Sequence, residues 1–162
     1  MDIMELGAIG EMIGGSAVLV TLIYLAVQVS GSKQALKTQT HHNLLTLGQR
    51  PMELILTDSE LADLVDRGHN APDSLSSGEW ERYSTYTFMV LNAWEYGYYL
   101  VRQGSVEHQL WEGGNAYWAE LAKTRPGVRK YWRENEHAFG EPFRSYARGH
   151  IAARSNNRSE DA

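Results

Sequence analysis

The chain has 162 residues, room for one modest core plus a separate segment, and its formal net charge of −5 offers no basic field to a nucleic acid. It contains no cysteine, which excludes disulfides, thiolate metal sites and cysteine nucleophiles. Five Trp and nine Tyr favour a core that relies on large rings.

Met12 to Val29 reads MIGGSAVLVTLIYLAVQV, eighteen residues without a formal charge. As a helix rising about 1.5 Å per residue it reaches about 27 Å, close to the roughly 30 Å hydrocarbon core of a bilayer. A core helix of a small domain carries a polar face, and charges are missing here all round. A signal peptide opens on basic residues, whereas the charged side chains before this run are Asp2, Glu5 and Glu11. The pattern Val29-Ser30-Gly31 keeps a second reading open, a secreted helical domain whose mature N-terminus lies near Ser32. The preferred reading is a transmembrane anchor, with residues 1–31 as tail and span. No Lys or Arg precedes the span, while Lys33, Lys37 and Arg50 follow it before the next acid, Glu53. The positive-inside rule then predicts a single pass through the cell (inner) membrane, N-terminus outside and C-terminal domain cytoplasmic.

Gly7, Gly10, Gly14, Ala17, Thr21, Tyr24 and Gln28 follow one another at alternating steps of three and four. That spacing places them on one helical stripe, small residues at one end and hydrogen-bonding groups at the other. Small residues admit close backbone approach in lipid, and polar ones add interhelical bonds, so the stripe predicts a helix-pairing face. The expected partners are the lipid bilayer and either a second copy, as a homo-oligomer, or a larger membrane protein.

Residues 32–154 read as a helical stalk and bundle, with 155–162 as a polar, disordered tail. KQALKTQTHHNLLTLGQR continues the anchor as a stalk up to Pro51, with a bend allowed at Gly31 and contacts from Leu36, Leu44, Leu45 and Leu47. Thr57-Asp58-Ser59 offers N-cap residues for ELADLVDR, which Gly68 would close, and HNAPDSLSSG is a polar loop. A long helix from Glu79 to Gln103, stopped by Gly104, carries Trp80, Tyr83, Thr87, Val90, Leu91, Trp94, Tyr98 and Val101 on one broad face. Further helices are predicted over Val106–Lys123, interrupted near Gly113-Gly114, over Val128–Phe139 and over Pro142–Arg154. No strand pattern and no internal repeat appears, so the fold class is all-α, one N-terminal transmembrane helix continuing into an antiparallel bundle.

Glu134 and His137 have the Glu-x-x-His spacing of carboxylate-bridged di-iron bundles. A full site needs a second such pair, and Asp66-x-x-His69 is broken by Gly68, so a solvated helix face is the plainer reading. His41-His42 diverge by about 100° on a helix and chelate one ion poorly. The run Trp94-Glu95-Tyr96-Gly97-Tyr98-Tyr99 reads as bundle core with Tyr96 and Tyr99 turned elsewhere. Arg125, Arg129, Lys130, Arg133, Arg144 and Arg148 make the C-terminal third locally basic, interleaved with Glu134, Glu136 and Glu141. There is no G-x-S-x-G, P-loop, GxGxxG or HExxH, and no cofactor is called for. A non-enzymatic, membrane-anchored interaction module is the expected function, with a metal-binding or enzymatic bundle using Glu134 and His137 as the alternative.

Taken together, Leu22–Val29 (LIYLAVQV), the segment Leu56–Gly68 (LTDSELADLVDRG) and the spacing Trp132, Phe139, Phe143 resemble an uncharacterised bacterial family. Its members have a Gly-rich N-terminal membrane helix followed by a helical domain. The resemblance implies a bacterial membrane-anchored helical protein and carries no activity to transfer. Ser30-Gly31-Ser32-Lys33 stands where a more basic polar stretch is expected.

Overall fold

The computed structural model describes residues 3–152, so the polar tail 155–162 lies outside the described residues. These residues are all-α, without a strand among them: α1 (Ile3–Thr57), α2 (Ser59–Asn70), α3 (Ser77–Arg102), α4 (His108–Thr124), α5 (Pro126–Asn135) and α6 (Phe143–Ala152). Single 3-10 turns at Pro72–Ser74 and Glu136–Ala138 join α2 to α3 and α5 to α6. The chain divides into two compact units between Gln39 and Thr40. The described residues of the first are the early part of α1; the second contains the remainder of α1 and helices α2–α6.

In the second unit several helix ends have a local cause. Asp58 caps α2 by accepting a bond from Leu61 N at 3.0 Å. Ser76 and Glu79 form a reciprocal capping box at the start of α3, with Ser76 N donating to Glu79 Oε2 at 2.8 Å. Arg67 Nη2 also donates to that carboxylate at 2.7 Å and so ties α2 to α3. These donors hold the Glu79 carboxyl at about 2, the Ser76 backbone amide first and Arg67 next. Gly104, at φ 69°, ends α3, and Ser105 N donates back to Leu100 O at 2.9 Å. Pro126 opens α5, where its missing N–H costs nothing.

α3 and α4 run antiparallel: Gly97 receives the Trp111 ring, Trp94 bonds Asn115, and Thr87 meets Trp118 around one small cavity. α6 packs on α4 and α3, and α2 packs on α3 and α5. Trp94, Tyr83, Phe143, Leu64 and Leu91 are the large side chains sealed at the centre. Their rings meet edge-on or stacked, Trp94 with Phe143 at 5.3 Å and Trp132 with Phe139 at 5.2 Å.

Four expectations change. Gly68 does not close α2 but lies inside it, because a Cβ there would collide with the Tyr83 ring. One at Gly127 would in turn strike the Gly68 carbonyl, so α2 and α5 cross glycine on glycine. Gly113-Gly114 does not interrupt α4, which is continuous from His108 to Thr124. α5 ends at Asn135 rather than Phe139, and α1, which passes through Gly31 as the stalk reading expects, also continues past Pro51, whose ring is buried.

Candidate functional site

Residues 11–39 of α1 are exposed at every position, and α1 is long and apolar enough to cross a membrane. Val18, Leu19, Val20 and Ile23 are each at least 59% exposed, apolar surface that water does not tolerate at such length. All seven residues of the small-and-polar stripe lie on this one helix. Gly7 and Gly14 have nothing within 4 Å of where a Cβ would stand; the surroundings of Gly10 lie outside the described residues. Thr21 Oγ1 donates to Ala17 O at 2.8 Å, as Ser16 Oγ does to Met12 O. The Thr21 proton is therefore spent within its own helix.

In the second unit, α1 presents one stripe inward and the next outward. His41, Leu44, Gly48, Pro51 and Ile55 are buried or half-buried, whereas His42, Leu45, Gln49, Met52 and Leu56 are exposed. Of the stalk leucines, Leu44 joins the core and Leu36, Leu45 and Leu47 face outward. Between α1 and α4 lies an open apolar groove of about 200 Å³. Leu44, Gly48, Trp111 and Trp118 form its floor; Leu45, Met52, Leu110 and Tyr117 form its lips. Glycine makes the room: a Cβ on Gly48 would stand 3.1 Å from the Trp118 ring, and one on Gly114 3.4 Å. This groove escaped the sequence reading, which took Gly113-Gly114 as a break. The signal available was Trp111 and Trp118 seven apart with a glycine between them, one side of a helix carved out beside two rings.

The candidate metal pair does not share a helix. Glu134 is in the last turn of α5, where it accepts from Trp80 Nε1 at 3.2 Å, and His137 is in the following 3-10 turn. No group of three potential metal ligands occurs among the described residues. His41 lines the groove and His42 is exposed beside it, consistent with their divergence along the helix. Glu95 accepts from Gly140 N at 2.7 Å and Tyr99 donates to Glu141 O at 3.0 Å, so both brace the approach to α6. Trp94 is buried and Tyr96 is 42% exposed. Three of the six basic residues of the C-terminal third are paired with acids: Arg148 forks onto Glu136, Arg144 meets Glu141, and Lys130 meets Asp73 while standing 4.6 Å over the Trp80 ring.

Half-buried His69 and buried Tyr86 are among the groups that burial perturbs, and they form no reactive set. His69 sits edge-on to Tyr83 at 5.6 Å, and burial, with Arg125 nearby, lowers it to about 4, against a small opposing pull from Asp66. Burial likewise pushes Tyr86 up to about 12. Neither has a nucleophile or a paired acid beside it, and the adjoining cavity, about 10 Å³, has room for no substrate. No protein-family model, curated protein or solved structure matches the chain.

Proposed function

We propose that the protein is a single-pass, membrane-anchored helical module that works by association rather than by catalysis. The observation that carries this reading is the run Met12–Val29, eighteen residues without a formal charge and exposed at every position. Such a surface is stable in hydrocarbon and unstable in water. Lys33, Lys37 and Arg50 beyond the span favour a cytoplasmic second unit, and the bacterial resemblance makes the inner membrane the host. The stripe from Gly7 to Gln28 supports pairing with a second copy or a larger membrane subunit.

The secreted alternative is the weaker one, since Asp2, Glu5 and Glu11 rather than basic residues precede the apolar run. An intact mass equal to the full chain is the expected result; a mature N-terminus near Ser32 would overturn the anchor. Pairing is tested by replacing Gly10 and Gly14 with Ile and measuring association in bilayers by energy transfer. Association is expected to fall several-fold, and unchanged association would sink the pairing claim. A cytoplasm-dependent reporter fused after Ala162 should be active, and its silence would reverse the orientation.

A further inference from the structure

The exposed stripe of the second unit, His42, Leu45, Gln49, Met52 and Leu56, follows the same alternating three-and-four spacing as the stripe from Gly7 to Gln28. Gly31, Ala35 and Thr38 bridge the two without a skipped step. One unbroken register of about 3.5 residues is what a left-handed helix pair requires over its length. Within the second unit the stripe carries three exposed apolar side chains, spaced by His42 and Gln49: Leu45 is 46% exposed, Met52 40% and Leu56 85%. It stands beside the open groove whose far lip is Leu110 and Tyr117.

We infer that this ridge and groove form a docking surface for the α1 helix of a second copy, laid parallel to the first. The inference rests on the membrane-anchored reading above, because two anchors in one bilayer with one orientation can pair only in parallel. In a parallel pair each seam residue faces its own counterpart, so any charge on the seam would face a like charge. Not one position of the register from Gly7 to Leu56 carries Asp, Glu, Lys or Arg. Lys33, Lys37, Arg50 and Glu53 all fall off it. An interaxial distance of about 8–10 Å brings the second ridge over the mouth of the groove, where Leu45 and Met52 of each copy cover apolar surface that is otherwise wet. A membrane acyl chain is the rival occupant, and it makes no demand on the register of α1.

The absence of native cysteine makes the test direct. Single cysteines are placed in the full-length protein at Leu45, Gln49, Met52 and Leu56, at the likewise exposed but off-register Thr46, Arg50 and Glu53, and at Ala17 and Thr21 in the anchor. Oxidation in native membranes is followed by the fraction of disulfide-linked dimer. Crosslinking several-fold higher at 45, 49, 52 and 56 than at 46, 50 and 53 is the expected result. Crosslinks at 17 and 21 with no periodicity over 45–56 would overturn this surface while leaving the anchor pair intact. No crosslink at any position would remove both. Equal crosslinking in and out of phase would mark random collision and would also overturn it.

Discussion

His69 shows how a single buried ring sets a pH limit on the fold. Its neutral form is packed against Tyr83 and Tyr86, with Arg125 close by, and its titration is lowered from 6.5 to about 4. Above pH 6.5 neither the folded nor the unfolded chain protonates this ring; below it the unfolded chain takes up a proton first. Stability is therefore complete above about 6.5 and is lost as pH falls toward 4, by up to about 3 kcal/mol. His150, also lowered by burial, acts in the same direction, so the diagnostic quantity is a difference. Urea unfolding at pH 7 and pH 4.5 should show a large loss in the native protein and a clearly smaller one in His69→Gln. Equal losses would assign the effect elsewhere. The glycines make an opposite pair of expectations at the same scale. Gly113 is exposed inside α4 with nothing near the place a methyl group would take, so Gly113→Ala should stabilise by about 0.5–1 kcal/mol. Gly127→Ala would drive a Cβ into the Gly68 carbonyl and should destabilise by about 3 kcal/mol or more. Melting temperatures that move in the same direction for both would refute the packing argument.

Among the elements, α4 holds the second unit together because it touches both α3 and α6. The joint is Asn115, whose Oδ1 accepts from Trp94 Nε1 and from Tyr146 Oη, each at 2.8 Å. Asn115→Leu would leave two sheltered donors without an acceptor, at about 1–3 kcal/mol each. The loss should exceed about 2 kcal/mol in chemical denaturation and should be much smaller when Trp94→Phe and Tyr146→Phe are already present. Full additivity in that cycle would show that the bonds contribute nothing. Much at this scale was legible in the chain. Asp58, the Ser76–Glu79 box and Gly104 announce helix ends by side-chain chemistry that acts within four residues, and the long apolar face of α3 follows from periodicity alone. What periodicity missed on α3 was its breadth: Tyr86, Ala93, Gly97 and Leu100 are buried too, because α2, α4, α5 and α6 all lean on it. Gly68 and Gly114 were misread for a related reason. A glycine that ends a helix and one that admits a neighbouring ring look alike until the neighbour is placed, and Tyr83 and Trp118 come from other helices or later turns. The groove, which depends on Gly48, Gly114 and Trp118 together, was illegible on the same ground, whereas placing Gly7 to Gln28 on one helix needed only spacing.

At the scale of the whole molecule, the proposed anchor would have the two units answer to different solvents, and a charge tests it. Nine Ile, Leu and Val side chains lie between Met12 and Val29. At about −0.3 to −0.6 kcal/mol each on a membrane-insertion scale they favour the bilayer by roughly 3–5 kcal/mol, before Gly14, Gly15, Ser16 and Gln28 subtract from that total. Asp at the centre of the span costs about 2.5–3.5 kcal/mol on the same scale, which nearly cancels what the apolar side chains supply. Val20→Asp should therefore move a large share of the protein from the carbonate-resistant membrane fraction into the supernatant, and Val20→Leu should leave it embedded. Val20 is 66% exposed and belongs to the first unit, so neither change touches the core around Trp94. The second unit of the released Val20→Asp protein should keep the native near-ultraviolet signal of its buried tryptophans and unfold at the native midpoint. Retention of Val20→Asp in the carbonate-resistant fraction would mean that something other than the apolar run holds the protein at the membrane. Release accompanied by loss of the aromatic signal would mean that the second unit depends on the anchor for its fold.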